Sequence, residues 1–421
     1  MSGGELQTKS PDAAEVRPTL ARLRIPRPGL PASSGRGTSV APPIIALIVI
    51  CLAFQLLNGR FLAAENLTNL ALQIASTGTI AIGIVLVLLL GEIDVSVAAI
   101  SGVCGALLAV LYVNHGWDPA LAVVVSVIAC TVIGSFQGLF VVWLAVPGFV
   151  VTLGGLLALG GVQKLLLGDA TSINLPFDGA IADLTTTFLP PWLSWTLAAG
   201  VVAIYGAVRL SEVRRRQRYG LRHGGVRNVA LRCLGLAALT IAAVVVFHQY
   251  RGTPLAIVIF VGLVVGAEFV VKNTRYGKHL LALGGDAEAA RRNGVRVNAV
   301  RVSVFAAAGM FAAIGGVLAA SRTSAATLTA GAGDVLISAI AAAVIGGTSM
   351  FGGRGTVYSA LVGMLVIGAI ANGMDLLAVS DAVKDIVTGT VLGVAITVDA
   401  ISRRIGASSA GRRGPSPEFG K

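Results

Sequence analysis

The chain has 421 residues, of which 55% are hydrophobic and only 12% charged, and its mean hydropathy is +0.84. Soluble domains carry about a quarter charged residues, so this composition excludes an ordinary soluble core and fits a bilayer, where each spanning helix takes about 20 mostly apolar residues. The formal net charge is +12, yet 26 of the 32 Lys and Arg fall in four stretches, 1–42, 209–232, 272–301 and 403–421. That clustering between apolar runs argues against nucleic acid as a partner and follows the positive-inside pattern of cytoplasmic loops.

Residues 1–42 are rich in Pro, Ser, Gly and Arg without periodicity, and read as a disordered cytosolic tail. The first apolar run starts near Pro43, too deep for a typical cleaved signal peptide. Apolar runs then fall near 43–59, 67–90, 95–113, 119–143, 148–167, 192–209, 230–248, 254–271, 300–321, 335–350, 357–378 and 382–401. They predict an all-α polytopic membrane protein of about 10–12 transmembrane helices over residues 43–402, some of them broken or re-entrant. The stretch 67–113 is interrupted only by Gly91-Glu92-Ile93-Asp94, and the run 335–350 is short and ends in glycines.

Parity sets the expected orientation. With the N-terminus inside, six spans lead to the basic loop 209–232, two more to 272–300 and four more to the C-terminal tail 403–421, so every basic stretch is cytoplasmic. The longest external segment is then 168–191, which holds Asp169, Asp178 and Asp183 and no Lys or Arg. The expectation is a multi-pass protein of a bacterial inner membrane with both termini in the cytoplasm. The spans are rich in Gly and Ala, which let helix backbones approach closely. Cys51, Cys104, Cys130 and Cys233 sit in or beside apolar runs without a CxxC, and read as small buried hydrophobes.

Glu92 and Asp94 admit two readings. Carboxylates at membrane depth are costly and usually functional, and a helix break there exposes backbone to a polar solute. Alternatively, the pair sits solvated in a short cytoplasmic turn. In the loop 272–300, Asp286 suits an N-cap, Glu288 the first turn and Gly294 a C′ position, so Ala287–Asn293 reads as a two-turn helix with Arg291 and Arg292 near its end. It is either an ordinary amphipathic surface helix or a knob that docks in a groove of a cytosolic partner.

Gly346-Gly347-Thr348-Ser349 and Gly352-Gly353-Arg354-Gly355 mark a tight turn. The chain has no GxxxxGK[ST] and no LSGGQ-like stretch, so no ATP site is expected on it. Gly331-Ala332-Gly333-Asp334 fits the GxGD of intramembrane aspartyl proteases, but the partner Tyr-Asp motif is missing. His115, His223, His248 and His279 lie far apart without ligand spacing. No catalytic residue, metal or cofactor is expected.

Six motifs resemble the sugar-permease subunits of bacterial ABC importers for ribose, xylose, galactose and arabinose, over residues 43 to 402. They are Gly91-Glu92-Ile93-Asp94-Val95-Ser96-Val97; Val146-Pro147-Gly148-Phe149-Val150-Val151-Thr152-Leu153-Gly154, with Gly148 in place of Ser; Asn273-Thr274-Arg275-Tyr276-Gly277-Lys278; Gly284-Gly285-Asp286-Ala287-Glu288-Ala289-Ala290-Arg291; Gly346–Ser349; and Gly352–Gly355. The resemblance is greatest to the xylose-type permeases, which carry an extra span pair around an Arg-rich loop such as Val213–Leu221 here. It implies a homodimer in the lipid bilayer with its pore at the interface, a separate cytosolic ATPase subunit of tandem-domain type, and a periplasmic or lipid-anchored sugar-binding protein. The transported monosaccharide it implies is xylose. By the same resemblance, Gly285, Asp286, Glu288, Ala289, Ala290, Arg291 and Gly294 couple to the ATPase, and Glu92, Asp94, Ser96, Phe149, Thr152 and Asp334 border the substrate path. The chain departs from the family at Leu336-Ile337-Ser338, where Glu-Leu-Asp is usual, and at Arg292-Asn293, where Leu-Ser is common. The competing class is a secondary transporter or channel, for which Glu92, Asp94 and Glu268 are the carboxylates available.

Overall fold

Backbone groups in hydrocarbon must be paired within their own segment, so long apolar runs become helices. The computed structural model describes residues 41–219, 226–331 and 333–411. Most of the expected N-terminal tail, part of the basic loop and the end of the C-terminal tail lie outside the described residues.

Each of the twelve apolar runs holds a helix. The first five are α1 (Ala41–Leu57), α2 (Ala64–Leu90), α3 (Val97–Ala109, continued by a π turn over Val110–Asn114), α4 (Pro119–Leu144) and α5 (Gly148–Leu167). A segment with β1 (Ser172–Asn174), α6 (Asp183–Thr186) and β2 (Phe188–Leu189) follows, then α7 (Pro191–Arg218), α8 (Val226–His248), β3 (Thr253–Pro254) and α9 (Leu255–Asn273). Two short helices, α10 (Arg275–Gly285) and α11 (Ala287–Arg292), precede α12 (Val297–Thr323), β4 (Ala325–Thr327), α13 (Gly333–Ile345), α14 (Tyr358–Leu376) and α15 (Asp381–Gly411). Nine of the described helices are long and apolar enough to cross a membrane, with α1 and α13 shorter. α15 runs on to Gly411, into the segment expected as tail; no proline falls between Asp381 and Gly411 to stop it.

From Ile80 to Leu90 α2 is apolar all round and correspondingly buried all round, and the helix packs on α12, α13, α14 and α9. α12 also packs on α4 and α3. α7 and α8 pack mainly on each other at the edge and are the least buried of the long helices.

The segment 168–191 is not a bare loop. β1 pairs antiparallel with β4 in the register Ser172↔Thr327, Ile173↔Ala326, Asn174↔Ala325. β2 pairs with β3, with Phe188 opposite Pro254 and Leu189 opposite Thr253. These two ribbons mark one end of the bundle; α10 and α11 mark the other. Near the ribbon end, the buried Asn66 and Asn372 exchange amide hydrogen bonds of 2.7 and 3.1 Å, joining α2 to α14.

The run 335–350 does not cross. α13 has 13 residues, about 20 Å at 1.5 Å per residue, short of a hydrocarbon core of about 30 Å. The chain before it folds inward from the ribbon end, so that Gln163 Nε2 donates to the Ala330 carbonyl at 3.0 Å. Gly331 then lies so close to α3 that a Cβ there would collide with the Ala98 carbonyl. α13 therefore starts part-way along α3 and ends where Gly346 packs on the Ser359 backbone, at the α10–α11 end.

Candidate functional site

α2 stops at Gly91, whose φ of +85° suits glycine and whose N–H turns back to the Leu88 carbonyl at 2.9 Å. The next five residues run sideways into the bundle before α3 begins. Glu92 Oε2 accepts from the Gly148 N–H at 3.0 Å, at the positive end of α5, and Glu92 Oε1 lies 3.3 Å from an Arg301 guanidinium nitrogen on α12. One carboxylate thus ties the break to two helices. Its side chain is 15% exposed and that of Arg301 31%, so neither is a freely solvated charge.

Asp94 goes deeper and is 3% exposed. Its Oδ1 accepts from the Ser96 N–H at 2.8 Å, and Ser96 Oγ lies 2.7 Å both from that oxygen and from Gln137 Oε1 on α4. A hydroxyl has one proton, so Ser96 donates to one of these two at a time. Thr152 of α5 accepts from the Val95 N–H at 3.3 Å and lies 3.4 Å from the Ile93 carbonyl, lending its hydroxyl to a broken backbone. Among the described residues Asp94 Oδ2 has no hydrogen-bond partner. The structure thus brings the buried Asp94, Ser96 and Thr152 together, with the partly buried Glu92 beside them. The reading of the pair as two solvated carboxylates does not fit Asp94, which is buried, and Glu92 is partly buried and paired with Arg301.

Phe149 and Asp334 stand apart from this cluster. Phe149 points outward on α5 and is 45% exposed; only its carbonyl reaches the cluster, 3.3 Å from Thr152 Oγ1. Asp334 is exposed in the first turn of the half-length α13. Glu268 accepts from the Val357 N–H at 2.6 Å and lies 3.8 Å from Lys272 Nζ, fastening α9 to the loop before α14. Gln137, Gln163 and Arg301 were not singled out from sequence. The only signal was that each is a polar side chain within an apolar helix.

At the same end, Thr274 caps α10 by accepting from the Gly277 N–H at 3.2 Å, and Leu280 and Leu283 face the bundle. Tyr276 stands 3.0 Å from Ser303 Oγ of α12; burial pushes its hydroxyl pKa up, against the opposing pull of that hydrogen bond. α11 is then built as its sequence predicts. Asp286 Oδ1 accepts from the N–H groups of Glu288 and Ala289 at 3.0 and 2.9 Å. Ala290 alone of its residues is buried, while Gly285, Glu288, Ala289, Arg291 and Arg292 face outward. Gly294, with φ +82°, ends the turn.

α11 is joined to the break by main chain. A Cβ on Gly284 would overlap the Leu89 carbonyl, and one on Gly352 the Gly284 carbonyl. The Gly353 N–H donates to the Leu89 carbonyl at 3.0 Å. The C-terminal ends of α2 and α10 and the turn before α14 therefore meet with no side chain between them. Among the described residues no group of three or more His, Cys, Asp or Glu could hold a metal ion.

The family described as branched-chain amino acid transport system / permease component matches residues 66–396. The xylose transport system permease protein of Escherichia coli (strain K12) is 33% identical over 396 residues, 93% of this chain and 99% of that protein. Its counterpart in Haemophilus influenzae is 31% identical over 364 residues, 86% of this chain and 96% of that protein. The ribose import permease protein of Bacillus subtilis is 30% identical over 357 residues, 85% of this chain and 91% of that protein. No solved structure matches the chain. With its helical bundle and a family match over most of its length, the chain belongs to the family of transport-system permease components.

Proposed function

We propose that the chain is the membrane-spanning subunit of an ATP-driven monosaccharide importer, with xylose as its sugar. Support for the solute comes from relatives whose names carry xylose and ribose. ATP is hydrolysed on a separate ATPase subunit of tandem-domain type, and a periplasmic or lipid-anchored binding protein delivers the sugar. Two copies of the chain form the path between them. The α10–α11 end and both termini face the cytoplasm, together with segments 1–42, 209–232 and 403–421; the parity of the basic stretches supports this.

The observation that carries the reading is the main-chain junction between α10, which leads into α11, and the end of α2. Residues 285–294 contact the ATPase, and motion of α11 passes through Gly284, Leu89 and Gly353 to the break. Close-packed backbones shift as units rather than deform continuously. Glu92, Asp94, Ser96, Phe149, Thr152 and Asp334 border the path. The permease makes and breaks no covalent bond; its inward and outward states differ in affinity for their partners, and ATP biases them through α11.

The test is reconstitution in proteoliposomes with a candidate ATPase and a candidate sugar-binding protein. Xylose should accumulate only when nucleotide, ATPase and binding protein are all present. Accumulation without nucleotide that follows an imposed ion gradient would make the chain a secondary transporter instead.

A further inference from the structure

α7 has 28 residues, about 42 Å of helix. Its apolar portion, Pro191 to Leu210, already spans about 30 Å, the thickness of a hydrocarbon core. The remaining turns project beyond it. They lie at the α10–α11 end, since Tyr205 and Arg209 are electrostatic neighbours of Tyr358 at the start of α14.

The arginines on these turns are not spread evenly. Ala207, Leu210, Ser211, Arg214, Arg215, Arg218 and Tyr219 line one cleft of about 660 Å³. Spacings of three and four residues put them on a single helical face. Arg216 lies on the opposite side. The neighbouring Glu212 is held by Arg209 at 3.0 Å, and among the described residues Arg214, Arg215 and Arg218 form no ion pair. All three are exposed. The positive-inside pattern needs only cations in the loop, in any direction. It does not account for three arginines and a serine gathered on one face, below apolar residues on a helix whose sides are barely covered by protein.

We propose that this face of α7 binds the phosphate headgroup of an anionic phospholipid, with Ser211, Arg214, Arg215 and Arg218 around the phosphate and Ala207 and Leu210 against the acyl chains. Planar guanidinium groups match phosphate oxygens, and basic clusters at the end of a spanning helix meet anionic headgroups at that depth. The lipid would hold the α7–α8 pair at the bundle edge, where protein contacts are few.

The experiment uses the purified, delipidated full-length chain in detergent, titrated with dioleoyl phosphatidylglycerol or dioleoyl phosphatidylcholine and followed by native mass spectrometry. Phosphatidylglycerol should bind about ten-fold or more tighter than phosphatidylcholine, as expected when several cations face one anionic headgroup. Arg214→Gln/Arg215→Gln/Arg218→Gln should bring the two lipids level, whereas Arg216→Gln should keep the preference. A triple variant that keeps it, or an Arg216→Gln chain that loses it equally, overturns the site. Displacement of the lipid by inorganic phosphate at equal concentration overturns the lipid as occupant. Should the triple variant fail to fold, protection of wild-type arginines from phenylglyoxal decides: protection by phosphatidylglycerol and not by phosphatidylcholine supports the site, and equal modification overturns it.

Discussion

The Gly353 N–H donates to the Leu89 carbonyl at 3.0 Å, so the turn before α14 completes the C-terminus of α2. That carbonyl also leaves no room for a side chain at Gly284. The contact lies where α10, which leads into the outward-facing α11, meets the end of α2 at Gly91.

The junction separates two neighbouring glycines. A Cβ on Gly284 meets the Leu89 carbonyl, whereas one on Gly285 meets nothing within 4 Å. Gly284→Ala should lower the thermal midpoint, with a cost of about 1–3 kcal/mol as for other overpacking changes. Gly285→Ala should melt like the wild type. Equal melting of the two variants in a detergent thermal-shift assay would remove the junction from the mechanism.

Glu92 acts as a partly buried clamp between α5 and α12. Glu92→Gln keeps an oxygen for the Gly148 N–H and loses only the charge pairing with Arg301. Glu92→Ala loses both, and should cost about 1–3 kcal/mol more, since it leaves a partly buried donor and a guanidinium unpaired. A double-mutant cycle of Glu92→Ala with Arg301→Ala should show that the two costs are not additive. Additive midpoints would mean that the ion pair does not couple the helices.

Asp94 serves two ends with its two oxygens. Asn at this position keeps an oxygen for the Ser96 N–H but replaces Oδ2 with an amide nitrogen. Asp94→Asn should therefore fold yet transport poorly in proteoliposomes. Asp94→Ala should also lose about 1 kcal/mol of stability with the contact to the start of α3. Full transport by a folded Asp94→Asn protein would take Asp94 off the substrate path.

Exchanging Glu288 with Arg292 tests α11 as a docking surface. The two form an exposed pair at 3.1 Å, a contact worth at most about 1 kcal/mol. Glu288→Arg/Arg292→Glu restores opposite charges four residues apart but reverses the face offered to a partner. Membrane insertion and melting should hold while co-purification of the ATPase falls. Undiminished co-purification would place the docking surface elsewhere.

At the ribbon end, Asn66→Ala should cost about 1–3 kcal/mol, because the Asn372 amide stays buried without its partner. Asn66→Leu/Asn372→Leu should recover part of that loss, since no side-chain amide is then stranded and only the Phe61 carbonyl, which Asn66 Nδ2 meets at 2.8 Å, loses a donor. Thermal unfolding of the three proteins decides it, and a double variant worse than the single one would contradict this account.

The sequence by itself determined whatever depends on neighbours along the chain. Hydropathy located twelve helices because an apolar segment in lipid has no other way to pair its backbone. Asp286, Glu288 and Gly294 specified α11 because capping acts within one or two turns. The tertiary structure decided whatever depends on approach from elsewhere. Hydropathy reads the break at Glu92–Asp94 alike whether water or protein surrounds it, and only the packing of α4, α5 and α12 buried it against Gln137, Thr152 and Arg301. The length of α13 was likewise settled outside its own sequence, by the inward fold that Gln163 holds at Ala330. Composition registers glycines at 284 and 353 but not the Leu89 carbonyl and the Gly285 backbone that leave them no room for a side chain. That requirement arises when two backbones from distant parts of the chain come within hydrogen-bonding distance.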